Sequence, residues 1–310
     1  MSQRIVVLGG GHGLAAVARA LRDDPCQLTL IVTIADDGGS SGRLRRRREG
    51  PAVGDMRRSF IALMGDDVAL ARAFARPLTI NRLGSHPLGN LVIRSLADAF
   101  GDLEAASEWL CEQLGISGRV LPASAEPVSL VGETDARCID GESAIGSASV
   151  QIRRLRFRPE RPKVPPAAIG AIERADWVLL APGSLFTSVL AVCALPDLTS
   201  ALAHTGARIA WICNLADQGE SAGMTLTEHL ETLRRHHVRV DCALHDPAAA
   251  LQFRLAPRGQ EALELLRWPL HGADPGAHDS GLLRTALRQE LHCGVAAQTA
   301  MRRAAGALGG

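Results

Sequence analysis

Lysine and aromatic side chains are scarce in this chain of 310 residues. Lys163 is the only lysine among 34 basic side chains, tyrosine is absent, and aromatic residues make up 3% of the sequence. No Gly-Lys-Ser or Gly-Lys-Thr phosphate loop is present, which excludes that mode of nucleotide binding. Lys163 lies among prolines, which favours a connecting segment over a Schiff-base lysine. The core must therefore be aliphatic.

Strong net charge, paired cysteines and a long uninterrupted apolar segment are lacking as well. The net charge of +1 offers no broad basic surface, so we expect no nucleic-acid partner. The seven cysteines are scattered without a Cys-x-x-Cys motif, as expected for reduced thiols in a cytoplasmic protein. The longest apolar run, Trp177 to Pro196, is interrupted by Pro182-Gly183-Ser184. We expect a strand, a turn and a helix there, and no membrane span or signal peptide.

Strand and helix patterns alternate along most of the chain. Apolar runs rich in β-branched residues predict buried strands at 4–8, 28–34, 176–180, 208–213 and 238–244. Helices between them show the i, i+3, i+4 spacing of one apolar face, as in 14–21. This alternation predicts an α/β, Rossmann-like, mostly parallel sheet with helices on both faces.

Short β segments interrupt the alternation. They lie at 119–121, 128–131, 136–139 and 150–157, with turn signals at Asp140-Gly141 and Gly146. A proline-rich stretch at 159–166 then returns the chain to the main sheet. We therefore expect a single Rossmann-like α/β domain over 1–310 with a small β-rich insertion at about 119–158.

A glycine-rich turn joins the first predicted strand to the first predicted helix. It consists of Gly9, Gly10, Gly11, His12 and Gly13. With Ala16, this turn fits the G-x-G-x-x-A pattern of dinucleotide-binding proteins. Small residues let a diphosphate approach the helix N-terminus, where free N–H groups and the helix dipole favour negative charge. Glycines also occur at tight turns without a ligand, but we favour phosphate binding.

A second polar stretch follows the second predicted strand. It consists of Asp36, Asp37, Gly38, Gly39, Ser40, Ser41, Gly42 and Arg43. Glycine N–H groups, serine hydroxyls and the guanidinium suit an anion, and Asp36 and Asp37 suit a sugar hydroxyl or Mg²⁺. The alternative is a mobile surface loop, since Gly/Ser clusters are common in loops. Two acids here, instead of one, point away from an NAD-dependent dehydrogenase.

Four more polar positions lie where strands end or helices begin. They are Asp55, Asn90, the group Gly183, Ser184 and Thr187, and Asn214. Some of these side chains fit helix caps, which would be a purely structural role: Asp55, Asn90 and the hydroxyl of either Ser184 or Thr187. Two glycine junctions at neighbouring strand ends would instead form a phosphate cleft, so we treat all of these residues as ligand-binding candidates.

Together these motifs resemble the bacterial gluconeogenesis factors, which are relatives of the 2-phospho-L-lactate transferase of deazaflavin cofactor synthesis. The resemblance runs from the first strand to about Val240 and rests on Gly9 to Gly13, Ala35 to Leu44, Gly54 to Arg57, His86 to Asn90, Pro182 to Ser188 and Cys213 to Leu215. The block Asp-Asp-Gly-Gly-Ser-Ser-Gly-Arg-Leu is specific to the gluconeogenesis-factor branch. The resemblance implies a cytoplasmic protein that binds a UDP-sugar, with UDP-N-acetylglucosamine as the expected ligand. It also implies regulation of carbon flow to cell-wall precursors and of cell shape.

The resemblance assigns roles to particular positions. Gly9 to Gly13 and the Gly183-Ser184 turn would face the diphosphate, and Asn90 and Asn214 would line the same cleft. Two departures from the family pattern stand out: Phe186 replaces a tyrosine, and Arg58 replaces an asparagine.

An enzymatic alternative comes from the same relatives. In it, a phospholactyl-type group passes from a nucleotide donor to a deazaflavin acceptor. Asp37 would be the catalytic, acceptor-binding carboxylate, and Asp36 and Asp37 would hold Mg²⁺, the only cofactor implied. For the regulator we further expect a regulatory protein partner and a homo-oligomer.

Overall fold

The protein is built on parallel strands joined by helices, as a computed structural model shows. The structure describes residues 2–38, 50–80, 84–216, 219–254 and 263–291. Its strands are Gln3–Gly9 (β1), Cys26–Val32 (β2), Pro77–Ile80 (β3), Gly84–Pro87 (β4), Arg119–Pro122 (β5), Ser129–Glu133 (β6), Cys138–Asp140 (β7), Arg154–Arg158 (β8), Trp177–Leu180 (β9), Arg208–Ile212 (β10), Cys242–His245 (β11) and Glu264–Arg267 (β12).

Helices connect these strands. They are Gly11–Leu21 (α1), Gly54–Met64 (α2), Ala69–Ala75 (α3), Leu88–Phe100 (α4), Leu103–Gln113 (α5), Glu142–Gly146 (α6), Pro166–Arg174 (α7), Leu190–Cys193 (α8), Pro196–His204 (α9), Leu226–Arg235 (α10) and 280–291 (α11). A π-helical turn, Leu185–Val189, leads into α8, and a 3₁₀ turn spans Gly219–Ser221.

Among the described residues, the central sheet has seven strands in the order β12-β11-β10-β9-β1-β2-β5, and every neighbouring pair is parallel. The chain starts at β1 and runs outward through β2 to β5. It then returns to β9, beside β1, and runs outward the other way to β12. The switch point therefore lies between β1 and β9, and ligands of such sheets bind at the carboxyl ends of the strands there. The predicted fold class is confirmed.

Alternate residues of β1 face two different apolar cores. Ile5 and Val7 belong to one core, with α1, α2 and the last helix, while Val6 and Leu8 belong to the other, with α7 to α10. This alternation is what a sheet buried on both faces requires. The six described cysteines form no disulfide, and four of them are buried in these cores or beside them.

A small antiparallel sheet, in the order β7-β6-β8, lies between β5 and α7. It forms the β-rich insertion, together with α6. The first segment predicted for this insertion, 119–121, instead belongs to β5, which pairs with β2 and forms the edge of the main sheet. The insertion therefore begins later than predicted, because the apolar pattern of a short strand does not say which sheet the strand joins.

The longest apolar run forms the strand, turn and helix that its sequence predicts. β9 leads through Pro182, Gly183 and Ser184 into the π-helical turn, and α8 and α9 follow. In the described part of the chain, no single helix has the length and apolarity to cross a membrane. Only the helical segments Leu185–Cys193 and Pro196–His204, which meet at a bend of 69°, have the necessary length and apolarity when they are counted together.

Candidate functional site

A hollow of about 430 Å³ opens at the switch point of the sheet. Its first wall is Gly10, Gly11, His12, Gly13, Ala16 and Arg19; its second is Pro182, Gly183, Ser184, Ser188, Asn214 and Leu215; its third is Gly276, Ala277 and His278. We call it the glycine hollow. It brings the two predicted glycine junctions together at one place.

Two positions of the first wall favour glycine, for different reasons. A Cβ at Gly13 would lie 1.7 Å from the Pro182 carbonyl oxygen, so only glycine lets α1 approach the turn after β9 this closely. Gly11 has a φ of 63°, which favours glycine, and a Cβ there would meet no atom within 4 Å. The N-cap residue, Gly10, has no side chain to cap α1, and the Gly11 N–H is bound by Asp55. The first turn of α1 therefore offers its backbone to the hollow, an arrangement that favours an anion.

Asn214 holds the second wall in place. Its Oδ1 accepts a hydrogen bond from the Gly183 N–H at 2.7 Å, and its Nδ2 donates to the Gly183 carbonyl oxygen at 2.8 Å. Asn214 is buried. The structure thus places Asn214 in the wall of the hollow, where its amide fixes the turn that follows β9.

The second junction is capped by a side chain that the sequence did not indicate. Neither Ser184 nor Thr187 caps the π-helical turn. Instead the N–H groups of Phe186 and Thr187 donate to Glu220 Oε1 at 3.1 and 3.4 Å. Thr187 is buried and lies outside the hollow walls, and Glu220 already places negative charge at this helix start. The second junction therefore has fewer N–H groups for a ligand anion than its sequence indicates.

Four carboxylates form an acidic cluster, defined by Asp36, Asp37, Asp55 and Glu142. Burial, followed by the charges of the other three, raises the pKa of Glu142 to about 7. Burial also raises the pKa of Asp55, with a further contribution from Asp36. The charges of these groups therefore act on one another, although none of the four lines the glycine hollow.

Asp37 connects the polar stretch to the insertion. Its two carboxylate oxygens accept hydrogen bonds from the Glu142 N–H at 3.0 Å and the Ser143 N–H at 2.9 Å, at the start of α6. Asp36 accepts from the Gly38 N–H at 2.8 Å. Within the described ranges, no group of three or more His, Cys, Asp or Glu side chains is arranged to hold a metal ion.

Asp55 links the acidic cluster to the glycine hollow. Its carboxylate accepts a hydrogen bond from the Gly11 N–H and pairs with Arg58. Asp55 lies inside α2, whose N-cap is Val53, so it is not the cap that its position before a helix indicates. Arg58, the departure from the family asparagine, supplies the counter-charge of a buried acid.

The remaining predicted site residues lie elsewhere. Asn90 is buried in α4, where its Oδ1 accepts from Arg57 Nε at 3.0 Å, and it lines no part of the hollow. Gly9 ends β1, where a Cβ would approach that of Ala181 to 3.0 Å. Gly39, Ser40, Ser41 and Arg43 lie outside the described residues.

The third wall, which comes from the segment after β12, was not predicted from the sequence. Nε2 of His278 lies 3.1 Å from the Cys213 carbonyl oxygen, and burial lowers the pKa of His278 to about 4. Burial and the charge of Arg58 also lower the pKa of His12 in the first wall. A polar stretch rich in Gly, Asp and His at 272–279 was the available signal.

Fold and hollow together define a doubly wound α/β protein with Rossmann strand order and a glycine-lined pocket at its switch point. The chain belongs to the family described as 2-phospho-L-lactate transferase CofD, which matches residues 5–280. The resemblance inferred from the motifs is thereby confirmed.

Relatives with a more specific name also match the chain. The gluconeogenesis factor of Halalkalibacterium halodurans is 38% identical over 237 residues, which cover 76% of this chain and 74% of that protein. The gluconeogenesis factor of Bacillus subtilis is 36% identical over 236 residues, which cover 75% and 74%. A crystal structure of a UPF0052-family protein from Bacillus halodurans matches with a TM-score of 0.85 and 29% identity, covering 93% of this chain and 99% of that one.

Proposed function

We propose that this protein binds a nucleotide sugar, UDP-N-acetylglucosamine, with the diphosphate in the glycine hollow against the first turn of α1. The observation that carries the proposal is the first turn of α1, which opens into a hollow of about 430 Å³ at the switch point. Asp55 accepts the Gly11 N–H there, and the N-cap residue, Gly10, has no side chain to cap the N–H groups that follow. Free N–H groups and the helix dipole at such a position favour a phosphate. The volume is within the range of small-molecule pockets, roughly 300–1,000 Å³.

The charges near the first wall support this placement. Arg58, Arg19 and Arg57 all act on His12 in the direction of a lower pKa, while the charge of Asp55 opposes them, so three guanidinium groups lie near enough to act on an anion at the first wall. A neutral imidazole in this environment can donate a hydrogen bond to a phosphate oxygen without carrying charge itself. The first wall thus combines backbone donors with nearby guanidinium groups.

The cellular role follows from the family rather than from the hollow. We infer a cytoplasmic regulator of the gluconeogenesis-factor type, which senses the nucleotide sugar and controls carbon flow to cell-wall precursors and cell shape. Such a role calls for a regulatory protein partner, and a homo-oligomer is part of the proposal. It calls for neither a nucleic acid nor a membrane.

Isothermal titration calorimetry tests the ligand. We expect heat on titration with UDP-N-acetylglucosamine, weaker binding of UDP, and no binding of N-acetylglucosamine alone, because the diphosphate carries the recognition. Absence of heat at millimolar nucleotide sugar would contradict the proposal.

A second candidate function is transfer of a phospholactyl-type group to a deazaflavin acceptor. It is favoured by the transferase family that the chain matches and by the position of Asp37 within the acidic cluster. Mg²⁺-dependent turnover of a guanylyl phospholactate donor with a deazaflavin would establish it. Asp37→Asn alone cannot decide the role of Asp37, because both of its oxygens accept N–H groups of α6. The melting temperature of that variant and the activity of Asp36→Asn must be measured alongside.

A further inference from the structure

The third wall of the glycine hollow is a loop that is closed at its base and attached to the end of β11. Asp246, at the end of β11, is buried and accepts hydrogen bonds from the Leu270 N–H at 2.7 Å and from His271 Nδ1 at 2.7 Å. At the other end the Asp279 N–H donates to the Leu270 carbonyl oxygen at 2.8 Å. His271 and His278 face each other in an antiparallel bridge. The segment that carries His278 is therefore held in place without a ligand.

The surroundings of His278 select one tautomer of its ring. Nε2 lies 3.1 Å from the carbonyl oxygen of Cys213, which can only accept, so Nε2 carries the proton. In a neutral imidazole the other nitrogen, Nδ1, is then an acceptor. No described residue donates to Nδ1, and Nδ1 is not among the side-chain atoms buried without a partner, so it is open to solvent. His278 thus offers a fixed acceptor in the wall of the hollow.

We propose that Nδ1 of His278 accepts a hydrogen bond from a hydroxyl or N–H group in the non-phosphate part of the bound nucleotide sugar. The inference rests on the proposed function and adds a specificity-determining residue to it. The partner of Nδ1 must be a hydrogen-bond donor. A phosphate only accepts hydrogen bonds at neutral pH and therefore cannot pair with Nδ1. Burial keeps the ring uncharged, since it lowers the pKa of His278 to about 4, so the imidazole adds no attraction for the diphosphate.

Two substitutions separate the two ring nitrogens. In His278→Gln the side-chain amide reaches the position of Nε2 and can still donate to Cys213, but the Nδ1 acceptor is lost. In His278→Asn the amide oxygen takes the position of Nδ1, and the bond to Cys213 is lost. Binding is measured by calorimetry with two probes, UDP-N-acetylglucosamine and inorganic pyrophosphate, and the melting temperature is measured for each variant.

We expect His278→Gln to weaken binding of the nucleotide sugar roughly tenfold, as for the loss of one hydrogen bond, with pyrophosphate binding unchanged. His278→Asn should stay within roughly threefold of the unaltered chain for both probes. Histidine ¹⁵N spectra should show the Nε2–H tautomer in the free protein, and the nucleotide sugar alone should shift the Nδ1 resonance.

Two outcomes would overturn the inference while leaving the proposed function standing. One is His278→Gln binding the nucleotide sugar as tightly as the unaltered chain. The other is an equal loss for the nucleotide sugar and pyrophosphate, which would mean that His278 only shapes the hollow. If the unaltered chain does not bind the nucleotide sugar at all, the proposed function fails, and this inference fails with it.

Discussion

The glycine hollow and the acidic cluster meet at Asp55, yet they differ in the charge that each accepts. In the hollow, burial lowers the pKa values of His12 and His278, so both rings are neutral at pH 7. In the cluster, burial and mutual repulsion raise the pKa values of Asp55 and Glu142. The hollow can therefore accept an added negative charge, whereas the carboxylates of the cluster would repel one. A ligand that extends from one to the other must present its anion to the hollow and hydrogen-bond donors to the cluster.

The largest expected effect on stability and binding comes from Gly13→Ala, which fills the space between the two glycine junctions of the hollow. Gly13→Ala places a Cβ 1.7 Å from the Pro182 carbonyl oxygen, a backbone atom that cannot move without shifting α1. We expect a loss of about 3 kcal/mol or more in the free energy of unfolding, measured by urea denaturation, and no ligand binding. Gly206→Ala is the control, since a Cβ there meets nothing within 4 Å. Equal stability of the two variants would contradict the observed packing.

Removing the side chain that fixes the second wall should have the next largest effect. Asn214→Ala leaves the half-buried N–H and carbonyl groups of Gly183 without their partners. We expect about 2 kcal/mol less stability and clearly weaker binding of the nucleotide sugar. Asn214→Asp keeps the acceptor but loses the donor, so its unfolding midpoint should lie below that of the unaltered chain. A ligand affinity unaffected by Asn214→Ala would show that the turn does not need this support.

A matched pair of glycine variants separates backbone strain from contact with the ligand. Gly11 and Gly101 have φ values of 63° and 71°, and a Cβ at either position would have no atom within 4 Å. Alanine at either position should cost about 1 kcal/mol of stability by thermal unfolding. Only Gly11→Ala should also weaken ligand binding, because only Gly11 lines the hollow. Equal affinities for the two variants would place the ligand elsewhere.

The smallest effect is confined to the acidic cluster and to one pH range. The pKa of Glu142 is about 7 in the folded protein, above its ordinary value of 4.5, so the folded chain loses stability as the pH rises between these values. Glu142→Gln should therefore be more stable than the unaltered chain by about 1 kcal/mol above pH 7, after allowance for solvent screening, with little difference below pH ~4.5. Exposed Glu112→Gln is the control. Urea titrations at several pH values provide the measurement, and a stability gain independent of pH would rule out the charge explanation.

The sequence was informative wherever local pattern and chain order act together. The parallel strands, the first helix and both glycine junctions follow from apolar runs that end in Gly-rich turns, and the Rossmann order places these junctions side by side. The segment 119–121 was assigned to the wrong sheet, because strand pairing depends on partners far away in the chain.

The missed features all depend on contacts between distant parts of the chain. Glu220 caps a helix start 34 residues away in sequence, and Asp37 accepts N–H groups more than 100 residues away. No spacing rule predicts such pairs. The third wall was missed for the same reason, since His278 reaches the hollow only because Asp246 and Leu270 hold its segment beside β11.

The strand order has a consequence for how the molecule could be divided. The first wall belongs to the part of the chain before β5 ends, and the second and third walls belong to the part that begins with β9. The boundary between two halves of the polypeptide thus runs through the hollow itself. The chain can be split inside the insertion and expressed as two fragments. These fragments should associate more tightly when a bound molecule contacts both halves. The yield of fragment complex, measured with and without nucleotide sugar, would therefore report ligand occupancy.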